Sequence, residues 1–483
     1  MVYICHNDNK TINVRITSHL YLKKGKTMKK SIALLFAGAL VTGFAFAGGI
    51  ENKTNMSTGY LRNPSRNVEA ARPEASFYNI AGTGFMENGL HIEVGNQFII
   101  KEYANTLDTT AGSISKGTKY NDETFVWFYP NIDIVYKMNN WAFFGNFGIY
   151  AGGGKLEYSE GTSVTALAFL GQASTYSEKA QMAQKAAQQA AVAGDKATAA
   201  KYGEQAKTAG NAAMNLLAAS GNHSLTINSI TYGEQIGVAY NLFDIVSLSA
   251  AIRFLQGDQK LTLESAYFNA ISGQGNEVGC KSFAFGVSPV FGAHVRLFEK
   301  LDIAAQLQVK TVMKYEVNDV TGKTIAKEIG VTDGKTFRSD LPTALNLGLG
   351  YRVIDPLYVS TSFNYYFNKS ADCDTVIGTN SYDDSFEIAA GADYTINDFV
   401  LVSAGLAYGK QGTKSSANNV FNPILDSFQI GFGAEIKPIK ILTITAGGTW
   451  VKYFDTTYTK SGYDIDLSKK LFMFSLGATL KLF

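Results

Sequence analysis

The sequence predicts an all-β fold: a transmembrane antiparallel β-barrel of about 14 strands, with an N-terminal plug in its lumen and a helical insertion in an outer loop. Apolar and small or polar residues alternate in segments of about ten residues from Leu90 to Phe483, matching the length a tilted strand needs to cross a bilayer. Leu345, Leu347, Leu349, Tyr351 and Val353 share one face of such a segment, and Asn346, Gly348, Gly350 and Arg352 share the other. The wet face carries charges such as Arg296, Arg352 and Glu435, which a soluble sandwich core would not hold. The oily face is therefore expected to meet lipid.

Composition points the same way. The 483 residues are 17% charged and 12% aromatic, with 47 glycines and 8 prolines. Mean hydropathy is near zero, as expected when only every second residue of a strand faces lipid. After the N-terminus no apolar run is long enough for a spanning helix. A net charge of +2 gives no support to a nucleic-acid partner. Residues 1–27 look like translated upstream sequence, with Met28 as the expected start. Met28-Lys29-Lys30, an apolar stretch from Ile32 to Phe46, and Ala45-Phe46-Ala47 form a signal peptide over 28–47. Cleavage near Ala47 would direct the chain to the outer membrane of a Gram-negative-type cell. Cys280 and Cys373 are the remaining cysteines once the doubtful Cys5 is set aside, and an oxidising compartment would permit pairing or two free thiols.

The strands expected in the barrel region (89–483) follow in order. Leu90–Ile100 and Phe125–Tyr136 come first, and Trp141–Ala151 follows a turn at Met138-Asn139-Asn140. Leu225–Tyr240 and Val246–Leu255 join through Asn241-Leu242-Phe243-Asp244, and Ser282–Arg296 and Leu301–Met313 through Phe298-Glu299-Lys300. Leu345–Val353 and Leu357–Phe367 meet at Asp355-Pro356, Phe386–Thr395 and Phe399–Tyr408 at Asn397-Asp398, and Phe428–Ile436 and Leu442–Trp450 at Pro438. Leu471–Phe483 closes the chain, with Phe483 one place out of phase with its oily row. Short connections rich in Asn, Asp and Pro alternate with long ones, the pattern of periplasmic turns and outer loops.

One segment breaks the β cadence. Residues 174–219 are rich in Ala, Gln and Lys, with Ala180, Ala183, Ala187 and Ala190 at helical spacing. Thr175-x-x-Glu178 reads as its capping box and Gly194-Asp195 as the break of a helical hairpin in the second outer loop. Ahead of the first strand, residues 48–88 show no alternation but carry Tyr60, Phe77, Tyr78 and Phe85. A barrel this wide conducts water unless filled, and these residues are expected to fill it from the periplasmic side.

The stretch from Met56 to Phe98 resembles the start of the FadL/TodX family of outer-membrane transporters for hydrophobic compounds. Phe77-Tyr78-Asn79-Ile80-Ala81-Gly82 stands where that family's hatch motif falls, with Ile80 in the usual place of proline. Asn140 to Tyr158 likewise resembles the family's kinked third strand. The resemblance spans the mature chain. It implies passive, non-enzymatic uptake of long-chain fatty acids or aromatic hydrocarbons, with hatch rearrangement and lateral release through the wall. Gly152-Gly153-Gly154 is the candidate lateral opening, since glycine often marks a bulge.

His91, Glu93, Arg253, His294, Arg296, Arg352, Asp393 and Glu435 are expected to form a lumen network that holds the plug. No Cys/His cluster has metal-ligand spacing, and no cofactor is expected. Gly322-Lys323-Thr324 and Gly334-Lys335-Thr336 lack the upstream glycine of a phosphate loop. Expected partners are hydrophobic small molecules, outer-membrane lipid and lipopolysaccharide, and the barrel-assembly machinery through the C-terminal strand, with the chain a monomer. Two other readings stay open: a surface adhesion or structural barrel binding a partner through the helical insertion, and a barrel enzyme acting on lipid through His91.

Overall fold

The computed structural model describes residues 53–483 except 274, 329, 376–377, 381, 414–417, 419, 422 and 461. The expected upstream extension (1–27), the expected signal peptide (28–47) and the start of the expected plug (48–52) lie outside the described residues.

Strand follows strand as the alternation predicts. The wall consists of β1 (Gly89–Leu107), β2 (Pro130–Met138), β3 (Trp141–Tyr158), β4 (Ser224–Leu242), β5 (Val246–Glu264), β6 (Glu277–Leu297) and β7 (Leu301–Gln308). It continues through β8 (Ala344–Ile354), β9 (Leu357–Tyr366), β10 (Ser385–Thr395), β11 (Val400–Lys410), β12 (Ser427–Ile439), β13 (Leu442–Tyr453) and β14 (Tyr463–Leu482). Each pairs antiparallel with the next, and β14 returns to β1 from Leu90–Leu482 to Leu107–Ile465. The result is a closed 14-strand barrel. The wall is uneven: β1 and β3 to β6 run 18 to 21 residues, whereas β8 to β11 run only 10 or 11.

Facing follows the period. Leu347, Leu349, Tyr351 and Val353 are exposed outward, while Asn346 is buried inward. Aromatic rings gather at both rims of the oily band, as interfacial residues do. Trp141 contacts Phe143 and Tyr240 near the short turns, and Phe363, Phe386, Tyr408 and Phe454 run ring to ring at the other end. Phe483 lies beyond β14 with positive φ, so its phase slip is a chain end rather than a bulge. Two short turns have both central residues in the left-handed region, Phe243-Asp244 and Phe298-Glu299. That geometry suits the twist of a tight hairpin.

Three sequence expectations need correction. The second strand starts at Pro130, not Phe125: Phe125–Val126 is a separate fragment on β1, Trp127 and Phe128 leave the ladder, and Tyr129 keeps one backbone bond, its carbonyl accepting from Gln97 N–H at 3.0 Å. Pro130 has no N–H to donate and marks the strand's first position. The seventh strand stops at Gln308, and Lys314–Thr321 pairs instead with the outer end of β6. The insertion is larger than 174–219. Helix α1 spans Ser163–Val192 and α2 spans Lys196–Ser220. Thr162, not Thr175, is the N-cap, in a capping box with Thr165, and Thr175 bonds back to the Gly171 carbonyl. The first turns escaped notice because Val164, Ala166, Phe169 and Ala173 are all buried, which erases the amphipathic signature. Asp195 caps α2, as its position after Gly194 implied. Cys280 and Cys373 are both buried, and no disulfide joins them.

Residues 53–88 lie inside the cylinder. They form three short helical turns, Thr58–Arg62, Ala75–Tyr78 and Gly82–Phe85, and then run into β1. Wall glycines mark where this backbone comes close. An added Cβ at Gly431 would sit 2.6 Å from the Leu61 carbonyl oxygen, one at Gly433 2.6 Å from Arg62 Cβ, and one at Gly447 2.9 Å from Arg62 N. A methyl group at any of them would push the segment off the wall.

Candidate functional site

Three features of the lumen and outer mouth combine: the packed N-terminal segment, a seam in the wall beside it, and an apolar groove above it.

The segment is fixed by charge. Arg62, fully buried, reaches Glu435 at 2.8 Å and Asp393 at 3.2 Å, and also contacts Ser403. Arg66 meets Glu69 at 2.6 Å, Glu74 at 3.2 Å and Asp393 at 3.5 Å; Arg72 joins Glu435 and Glu69. Buried charges persist only when paired and hydrogen-bonded in this way. The expected lumen network is thus divided rather than single. Asp393 and Glu435 bind the plug, but their cations are Arg62, Arg66 and Arg72 of the plug itself, which sequence reasoning missed. Glu93 accepts from Thr58 at 3.4 Å and from Thr479 at 3.3 Å. His91 contacts the Glu87 carbonyl at 2.9 Å. Arg296 donates to Asp302 at 2.8 Å, and Arg352 donates to the Asp355 carbonyl at 2.9 Å near the short turns, apart from the plug's ion pairs.

The predicted motif forms a second anchor. The Asn79 amide donates to the Glu69 carbonyl at 3.0 Å and lies 2.8 Å from His294 Nδ1, whose Nε2 reaches Asp302 at 2.8 Å. Gln306 clasps the motif from the wall: its amide donates to the Phe77 carbonyl, and its oxygen accepts from the Ile80 N–H, both at 2.9 Å. Proline at position 80 could not make that second bond. Tyr78 donates to the Thr54 carbonyl at 2.6 Å and accepts from Met56 N–H at 2.8 Å, tying the segment to itself. Ala81 is buried, and Gly82 has no room for a side chain because a Cβ would overlap the Glu69 carbonyl.

The wall is interrupted beside this segment. β2 and β3 pair only from Met138–Trp141 to Ile132–Phe147. Above that point β3 bulges twice against β4, between Ile149 and Ala151 and between Gly152 and Gly154. Gly152 has φ 71° and Gly154 φ 108°, so the glycine run carries the distortion, with Gly153 buried between them. From inside, Lys53 N–H donates to the Tyr150 carbonyl at 3.0 Å.

Arg253 stands apart. It is 1% exposed and donates to Ser288, Gln308, Thr311 and the Val309 carbonyl, with its guanidinium 5.7 Å from the Tyr150 ring centre. No carboxylate bonds it among the described residues. It borders a cavity of about 20 Å³ shared with Tyr60, Phe77, Tyr78 and Tyr366, room for one water.

Over the mouth, the base of the helical hairpin packs on loop and strand ends. A groove of about 800 Å³ runs between α1, α2, Gly112 and Tyr463, lined by Leu167, Leu170, Met214 and Leu217. His223 locks the base: Nδ1 donates to the Ala219 carbonyl at 2.9 Å, and Nε2 lies 2.6 Å from the Thr165 hydroxyl. Burial pushes its pKa down to about 4. The folded state therefore disfavours the proton, so docking is fully stable above about pH 6.5 and loses up to about 3 kcal/mol as pH falls to 4. Hydrogen exchange of residues 163–173 is expected to quicken between pH 6.5 and 4, and His223→Gln to flatten that dependence.

No family model matches the sequence, and no curated protein matches it. Solved structures do share the fold. A Pseudomonas aeruginosa FadL homologue is 14% identical, with TM-score 0.59 over 92% of this chain and 100% of that one. The Pseudomonas putida toluene transporter TodX is 14% identical, with TM-score 0.56 over 90% and 100%. The Ralstonia pickettii toluene transporter TbuX is 13% identical, with TM-score 0.51 over 90% and 99%.

Proposed function

We propose that this chain is a FadL/TodX-type channel of the outer membrane, passing hydrophobic compounds passively from the cell surface into the lipid of the wall. The observation that carries this reading is the seam between β2 and β3, placed where the plugging segment touches the wall. An apolar solute gains free energy at each stage: first in the outer groove, then among the aromatic residues under the hairpin, finally in hydrocarbon. Water gains nothing along this path, because the segment from Lys53 to Asn88 fills the lumen. Uptake of radiolabelled oleate or toluene by vesicles holding the full chain tests the proposal; deletion of residues 48–86 should replace selective uptake with general leakage. No uptake of either solute by the intact chain would sink it.

Arg253 favours an acid among such solutes. Neutral acceptors satisfy its N–H groups, no carboxylate pairs with its charge among the described residues, and one arriving in an enlarged cavity would supply the counter-ion. Arg253→Gln is expected to slow oleate uptake about ten-fold while leaving methyl oleate unchanged, a difference of about 1.4 kcal/mol. The hairpin reaches well past the groove, and Val192 at its tip is exposed, which keeps an adhesive role in view. Loss of cell-surface binding on deleting residues 177–210, with uptake intact, would assign the tip to adhesion.

A further inference from the structure

We infer that Tyr129 is the latch of the wall opening, a role that rests on the lateral-release reading above. Above Phe147 the two sides of the seam share no strand register, and side chains take over the closure. The Tyr129 hydroxyl donates to the Ile149 carbonyl at 3.1 Å, on the first residue of the first bulge. Higher up, Thr124 Oγ1 donates to the Lys155 carbonyl at 2.9 Å, and Glu157 N–H donates to Asp122 at 2.7 Å. A backbone ladder opens only by losing many bonds together, whereas these bonds can break one at a time.

Tyr129 is also held so that it can swing. Its own N–H donates to Asn96 Oδ1 at 2.9 Å, and Asn96 Nδ2 donates to the Trp127 carbonyl at 3.0 Å, so β1 grips the irregular backbone. The ring is buried at 1% exposure, while its neighbours Trp127 and Phe128 are 70% and 73% exposed. Tyr129 thus lies between the aromatic interior and two exposed rings, and a solute leaving the lumen by this seam must displace it. The carbonyl it covers belongs to the residue before Tyr150, whose own carbonyl takes the Lys53 N–H. Plug and latch hold adjacent peptide groups of one strand, so withdrawal of residues 53–54 loosens the bulge that Tyr129 grips.

The test uses the full chain in vesicles. Tyr129→Phe keeps the ring and removes the hydroxyl, and uptake of oleate is expected to rise about five-fold, the factor for one modest hydrogen bond. Spin labels on Thr124→Cys and Lys155→Cys are expected to show a broader distance distribution in the Tyr129→Phe background, with heat-modifiable gel mobility unchanged. A short bismaleimide joining the same two cysteines staples the seam. If stapling stops uptake but Tyr129→Phe leaves rate and distances unaltered, the latch is wrong and lateral release stands. If the stapled protein transports normally, the lateral route itself is wrong. A fall in uptake together with lost heat-modifiability in Tyr129→Phe would make the residue structural and overturn the latch.

Discussion

Arg62→Met is expected to open the pore without unfolding the barrel. The guanidinium bridges Asp393 on β10 and Glu435 on β12, and all three groups are shielded from water. Methionine fills the volume but supplies no donor, so both carboxylates lose a partner. Arg66 at 3.5 Å still reaches Asp393, and Arg72 still reaches Glu435, so the network weakens rather than vanishes. Breaking a buried pair of this kind costs about 3–5 kcal/mol. That loss falls on the plug, because the strands that carry the two carboxylates keep their hydrogen-bond ladders from β10 to β13. Planar-bilayer recordings should show steady ionic conductance where the parent shows none, and protease should reach residues 53–88. Lysine at position 62 should restore closure only in part, since an ammonium cannot fork between two carboxylates as a guanidinium does. A silent bilayer trace for Arg62→Met would show that the plug is held by packing instead.

Gly82→Ala should have the next largest effect. Its Cβ would overlap the Glu69 carbonyl, a backbone group that also accepts from Asn79. Neither side can give way without dragging the turn, so the cost is about 3 kcal/mol, the upper range for overpacking. The turn would lose its Asn79 bonds to Glu69 and toward His294, and Gln306 would lose the N–H of Ile80. Uptake should fall more than about ten-fold, the change that 1.4 kcal/mol produces, while the barrel keeps its heat-modifiable mobility. Asn79→Ala removes the bonds to Glu69 and toward His294 directly and should behave alike. If uptake survives in both variants, the motif is not part of the moving machinery.

Most of the cylinder was legible because its signals are local. Fourteen segments of alternation gave fourteen strands in order, and Asn139, Asp355-Pro356 and Asn397-Asp398 marked their turns. Local reading failed where a residue answered to distant neighbours. Thr162 begins the hairpin among buried residues that carry no helical stripe, and Trp127 and Phe128 are the aromatic type a strand favours yet leave the sheet.

Periodicity of two by itself determined that this chain closes into a wall with an oily outside, since strand pleat converts sequence parity directly into facing. The run Gly152 to Gly154 pointed separately to a bulge, because glycine adopts backbone angles that other residues avoid. Only the tertiary structure decided which charges meet, because Arg62 finds Asp393 and Glu435 across 331 and 373 residues. The same holds for Gln306 on the Ile80 N–H and Tyr129 on the Ile149 carbonyl. Such partners are chosen by closure of the cylinder around its plug, a condition that no short window of sequence contains.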